Sequence, residues 1–133
     1  MSQANVQVVR QFYEAQNEAF NERDFRADLW DPAVEVDMSR RSMDPEIYRG
    51  LDEVRRFTED IVASFGSYEV VVEDVLDAGE KLVAMLVMRG QGALSGVAVE
   101  VAVAHVLTFR DGKVLHLEYF GDRKEALRSL GLE

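Results

Sequence analysis

The sequence predicts an α+β domain in which helices pack on one face of a curved, mostly antiparallel sheet. Three observations carry this. The N-terminal segment repeats apolar residues at helical spacing. Four apolar runs then follow one another with only short turns between them. Asp111-Gly112 joins the last two of these runs, and Asp-Gly between alternating apolar residues is the strongest short-range hairpin signal.

The elements follow in order. Val6, Val9, Phe12, Tyr13 and Phe20 fall near a period of 3.6, so a first helix is expected from about Val6 to Arg23, capped by Asn5. Asp24 to Trp30 reads as a short second helix that Asp31-Pro32 ends. Val34 to Asp37 alternates as a short strand. Ser39 to Gly50 is polar and irregular, a candidate pocket rim or lid. Leu51 to Phe65 is amphipathic through Leu51, Val54, Phe57, Ile61, Val62 and Phe65, and Gly66 is expected to stop it.

Four strands are expected next, over about Tyr68 to Asp77, Lys81 to Gly90, Val97 to Arg110 and Lys113 to Phe120. Their short connections make neighbours antiparallel. Asp122 then caps a last helix that Gly131 ends.

Composition narrows the function. At 133 residues the chain is one domain, expected to bury roughly two-thirds of its surface. Its net charge of −10 repels nucleic-acid backbones and anionic membranes. The longest apolar run, Leu82 to Met88, is too short to span a bilayer. Cysteine is absent, which excludes disulfides and thiol chemistry. The opening MSQANV lacks the regions of a signal peptide, and a cytoplasmic location is expected.

A two-residue turn at Asp111-Gly112 sets an expected register. Phe109 faces Val114, Leu107 faces His116, and His105 faces Glu118. One face would then carry Val103, His105, Leu107, Phe109, Val114, His116, Glu118 and Phe120. The other would carry Ala102, Ala104, Val106, Thr108, Leu115, Leu117 and Tyr119. Both faces are largely apolar, so both need cover. Helices supply one cover, and a second copy of the chain is the expected cover for the other, giving a homodimer through the outer face.

The register also brings together the only two histidines and a glutamate. A carboxylate beside His105 would orient the ring, either in an active site or as a structural polar pair. Tyr13, Trp30, Tyr48, Phe57, Ile61 and Phe120 are candidate pocket-lining residues. No phosphate-binding glycine loop, metalloprotease helix or nucleophile elbow occurs. No spacing of histidines and carboxylates supports a metal, and no cofactor is expected.

Four segments carry a resemblance over nearly the whole chain: EAFNERDF at Glu18 to Phe25, DPAVEVD at Asp31 to Asp37, YRGLDEVRRF at Tyr48 to Phe57, and AHVLTFRDGKVLHLEYFGDRKEAL at Ala104 to Leu127. The chain resembles the nuclear transport factor 2-like superfamily, in particular its small SnoaL-like and ketosteroid-isomerase-like members. The resemblance implies a cone-shaped fold. A bent sheet wraps around helices and leaves a pocket between its concave face and the long helix.

Ketosteroid isomerase supplies a mechanistic template of a carboxylate base with two oxyanion donors. By that resemblance Asp37 matches the base and His105 takes the place of the strand donor. Tyr13 is the helix donor, although alignment on EAFNERDF puts Asn17 at the usual aromatic position. Glu118 would hold His105. The fold hosts many functions, so two expectations stand. One is cofactor-free proton transfer on a small apolar carbonyl compound. The other is a non-catalytic module that binds a ligand or a partner.

Overall fold

The computed structural model describes residues 3–40 and 46–132. Helix α1 (Gln3–Asn21) buries the stripe Val9, Phe12, Tyr13 and Gln16, spaced by three and four residues. Asn5, expected as its cap, lies inside it, and Asn5 Nδ2 donates to Asp77 Oδ2 at 3.4 Å. The expected second helix is a single 3-10 turn, Ala27–Leu29.

The first strand, β1, covers Trp30–Asp37. A three-residue strand, β2 (Ile47–Arg49), lies inside the segment expected to be irregular and pairs antiparallel with β1. Three residues are too few to show alternation, which is why the sequence did not reveal it. The rest of the candidate lid, residues 41–45, lies outside the described residues.

Helix α2 (Gly50–Ser64) begins with Asp52 and Glu53 at its positive end, where the helix dipole favours them. It passes directly into β3 (Phe65–Ala78), so the chain turns one residue before Gly66. Strands β4 (Lys81–Gly92), β5 (Ala98–Arg110) and β6 (Lys113–Phe120) complete the expected meander. The sheet order is β2-β1-β6-β5-β4-β3, with β1 running parallel to β6. Helix α3 (Arg123–Ser129) is capped as expected, with Asp122 Oδ1 accepting from the Lys124 N–H at 2.8 Å.

The hairpin turn is as expected, but the register beyond it is not. Asp111 and Gly112 have φ of 53° and 77°, the left-handed pair of a primed turn. Phe109 then faces Val114, and the next pair is Thr108 with His116, so Leu115 is an extra residue in β6. A bulge of one residue turns every later side chain to the other face. His105 therefore faces Tyr119, not Glu118, and Leu107 faces Leu117, not His116. His116, Glu118 and Phe120 move to the outer face, while Leu117 and Tyr119 move to the inner one.

Two cores result. The larger lies between α1, α2 and the inner sheet face, and includes Val9, Phe12, Leu86, Val103 and Leu107. The smaller lies on the outer face, where Val83, Met85, Ala104, Val106 and Phe120 pack with Ala126, Leu127 and Leu130. The chain's own C-terminal segment thus covers part of the face for which a second copy was expected.

Candidate functional site

A cavity of about 240 Å³ opens between α1, α2 and the inner face of the sheet. Each element contributes through its period. Tyr13, Gln16 and Phe20 come from one side of α1, and Phe57 and Ile61, four residues apart, come from α2. Val36 and Leu117 are register partners on β1 and β6, and His105 and Tyr119 are register partners on β5 and β6. Gly90 shapes the rim, because a Cβ there would lie 2.8 Å from the Ser67 carbonyl oxygen and 3.0 Å from the Phe65 ring, which lines the cavity.

The polar centre of the cavity is a pair. The Tyr13 hydroxyl lies 2.6 Å from His105 Nδ1, with the two rings 5.8 Å apart. Burial pushes the His105 pKa down to about 4, so the imidazole is neutral at pH 7. Burial, reinforced by nearby Tyr68, raises the Tyr13 phenol well above its usual range. Burial likewise raises Tyr68. Among the described residues that line the cavity, none is Asp, Glu, Lys or Arg. The described part of the wall therefore carries no charged side chain.

The pair has a property that does not depend on the histidine tautomer. A neutral imidazole and a phenol hold two polar protons between them. One is spent in their mutual hydrogen bond. If Tyr13 donates to Nδ1, the ring carries its proton on Nε2; if Nδ1–H donates to Tyr13, the phenolic proton remains. Either way one donor is left for a third partner.

The sequence-predicted residues divide cleanly. Tyr13, His105, Trp30, Phe57 and Ile61 line the cavity. Tyr48 is buried behind it, with its ring 4.6 Å from that of Phe57. Phe120 belongs to the outer core, and the Arg40 guanidinium lies 4.5 Å over its ring.

Asp37 and Glu118 are register partners of each other on the outer face, away from the cavity that Val36 and Leu117 line. Asp37 Oδ1 accepts from the Ser39 N–H at 2.9 Å. Burial raises the Asp37 pKa, but the Ser39 hydrogen bonds, His116 and Arg40 outweigh it and hold the carboxyl below its ordinary value. Glu118 pairs with Arg40 at 3.5 Å, and His116 Nε2 lies 3.2 Å from Glu35 Oε1. The histidine–glutamate trio expected on one face is therefore split between two.

Sequence reasoning missed Gln16 and Tyr68. Gln16 was visible as a polar residue on the apolar stripe of α1, three positions after Tyr13. Asn17, the alternative to Tyr13, has another role. Its Nδ2 donates to the Val70 carbonyl at 2.8 Å and its Oδ1 accepts from the Val70 N–H at 2.9 Å.

The SnoaL-like domain family matches residues 9–117, which include most of α1, every described cavity-lining residue except Tyr119, and most of the β5–β6 hairpin. The chain belongs to the SnoaL-like family. Among solved structures, this SnoaL-like chain is similar to a nuclear transport factor 2-like protein of unknown function from Burkholderia pseudomallei, with 25% identity over 96% of this chain and 97% of that one and a TM-score of 0.69. A putative SnoaL-like polyketide cyclase from a Jannaschia species shares 20% identity over 96% and 91% of the two chains, at a TM-score of 0.67.

A hypothetical protein from Catenulispora acidiphila with a ketosteroid isomerase-like fold, solved in complex with trimethylamine, shares 14% identity over 95% and 93%, at a TM-score of 0.71. These likenesses establish the nuclear transport factor 2-like fold. No match was found among curated proteins. No helix among the described residues is long and apolar enough to cross a membrane.

Proposed function

We propose that the cavity binds an uncharged, mostly apolar small molecule that carries a carbonyl group. The supporting observation is the Tyr13–His105 pair, which holds one spare donor inside a cavity lined by apolar and aromatic side chains. A carbonyl oxygen is the acceptor that such a donor would meet and polarise. A charged ligand would lose its hydration and find no counter-charge among the described residues of the wall. An engineered cavity of about 150 Å³ accepts benzene, so about 240 Å³ suits a molecule of one to two rings.

Binding with polarisation leads over proton transfer. Isomerase, cyclase or dehydratase chemistry without a cofactor needs a base at the ligand. Asp37, the expected base, has its side chain on the outer face, and its lowered pKa makes it a weaker base. His105, at about 4, is also a weak base at neutral pH.

Calorimetric titration with 1-tetralone and with tetralin, which lacks the carbonyl, tests this. The expected result is binding of 1-tetralone about tenfold tighter than tetralin, from one hydrogen bond in a dry site. The double variant Tyr13→Phe/His105→Phe, which removes both polar protons of the pair, should bring the two affinities together. Equal affinities in the unmodified protein, or no binding of 1-tetralone, would overturn the reading.

A further inference from the structure

Two other residues of the same wall carry a buried polar atom with no hydrogen-bond partner among the described residues. These atoms are Gln16 Oε1 and Trp30 Nε1. Gln16 is 7% exposed and Trp30 is 4% exposed, and both line the cavity. Buried polar groups are nearly always bonded, because an unpaired one loses its hydration without return. Two such atoms of opposite type in one wall, an amide acceptor and an indole donor, form a complementary set. Neither belongs to the Tyr13–His105 pair.

Their placement fits one ligand. Gln16 lies three residues beyond Tyr13 on the same side of α1, which is about one turn along the helix. Trp30 packs edge-on against Phe12, the neighbour of Tyr13, with ring centroids 5.2 Å apart. Both side chains thus belong to the wall that Phe12 and Tyr13 line.

We infer that Gln16 and Trp30 form a second polar station in the cavity, which selects ligands bearing a hydroxyl or N–H group away from the carbonyl. A hydroxyl suits both residues because it donates to Gln16 Oε1 and accepts from Trp30 Nε1–H. The ligand class narrows from an apolar carbonyl compound to a hydroxylated, cyclic one, such as a phenolic ketone. This inference rests on the proposed carbonyl-binding role of the cavity. It adds the second contact and the discrimination that follows from it.

The test compares 1-tetralone, 6-hydroxy-1-tetralone and 6-methoxy-1-tetralone by calorimetry. The expected result is that the hydroxy compound binds about tenfold tighter than either of the others. Gln16→Leu should remove that preference, read as the ratio of the two affinities within the variant itself. Trp30→Phe keeps an aromatic ring and removes only the indole donor, so it should reduce the preference in the same direction.

Binding of 1-tetralone with no gain from the hydroxyl would overturn the second station and leave the carbonyl reading intact. A preference that survives in Gln16→Leu would overturn it too. Failure of 1-tetralone to bind at all would overturn both readings.

Discussion

The Tyr13 hydroxyl and His105 Nδ1 lie 2.6 Å apart although 92 positions separate them in the chain. The contact joins the middle of α1 to the middle of β5 across the cavity. It exists because β5 presents His105 on the same face as Val103 and Leu107, and because the α1 stripe turns Tyr13 toward that face.

Burial of His105 predicts a pH dependence. Its folded pKa of about 4 lies below the unfolded value of about 6.5. Between those values the unfolded chain binds a proton and the folded one does not, so stability falls as pH drops from about 6.5 to about 4. The loss is about 3 kcal/mol at most. Urea unfolding across this window should show the decline, and His105→Phe should flatten it. A His105 ring that titrates near 6.5 by NMR would contradict this.

The Asp31–Arg110 pair acts in a lower window. Arg110 Nε and Nη2 donate to the two Asp31 oxygens at 2.8 and 2.7 Å. The Arg110 hydrogen bonds, then the Ala33 N–H, hold the Asp31 carboxyl below its ordinary value. Its stabilisation is fully present above the unfolded carboxyl value of about 3.9 and is lost as pH falls through the lower folded value. Asp31→Asn should lower the melting temperature at neutral pH and reduce the acid sensitivity below about pH 4. Unchanged acid unfolding would show that the pair contributes nothing.

Asn17 acts as a substitute strand. Strand β3 is a sheet edge, and the Asn17 amide bonds both the N–H and the carbonyl of Val70, as a neighbouring strand would. Asn17→Leu leaves both groups of buried Val70 unpaired. It should cost about 1–3 kcal/mol in denaturant unfolding, with faster hydrogen exchange at Val70. An unaltered Val70 exchange rate would refute the assignment.

Arg123 ties α3 to the sheet. It donates to the Leu86 carbonyl at 2.7 Å, to the Val103 carbonyl at 3.2 Å and to Glu73 at 2.6 Å. Arg123→Met should destabilise the fold by about 1–3 kcal/mol and loosen α3 first, which amide exchange of Ala126 would report. Uniform exchange along the chain would argue against that order.

Much of this arrangement was legible from residue type alone. Helical spacing gave α1 and α2, the Asp-Gly turn gave the β5–β6 hairpin, and the direction of the α1 stripe put Tyr13 inside. The bulge at Leu115 was not legible, because an extra residue leaves no mark on the type pattern of an apolar strand. That single residue moved Glu118 and Phe120 out of the expected site. The parallel pairing of β1 with β6 was also hidden, since 75 residues separate Asp37 from Lys113 and no local signal spans them. It is this pairing that turns Val36 inward and Asp37 outward. Arg89 and Glu100 are register partners on β4 and β5 and pair at 3.3 Å.

The outward position of Asp37 separates binding from base catalysis. Asp37→Asn should keep the Ser39 turn, because the amide oxygen still accepts, and should change 1-tetralone affinity by less than about twofold. A large loss of affinity would return Asp37 to the site.

The most direct measurement is the carbonyl ¹³C NMR shift of labelled 1-tetralone on binding to the unmodified protein and to the double variant Tyr13→Phe/His105→Phe. A carbonyl that accepts a hydrogen bond from the pair should move downfield in the unmodified protein and return toward its value in an apolar solvent in the double variant, which keeps neither polar proton. A bound carbonyl with the same shift in both proteins would contradict the account.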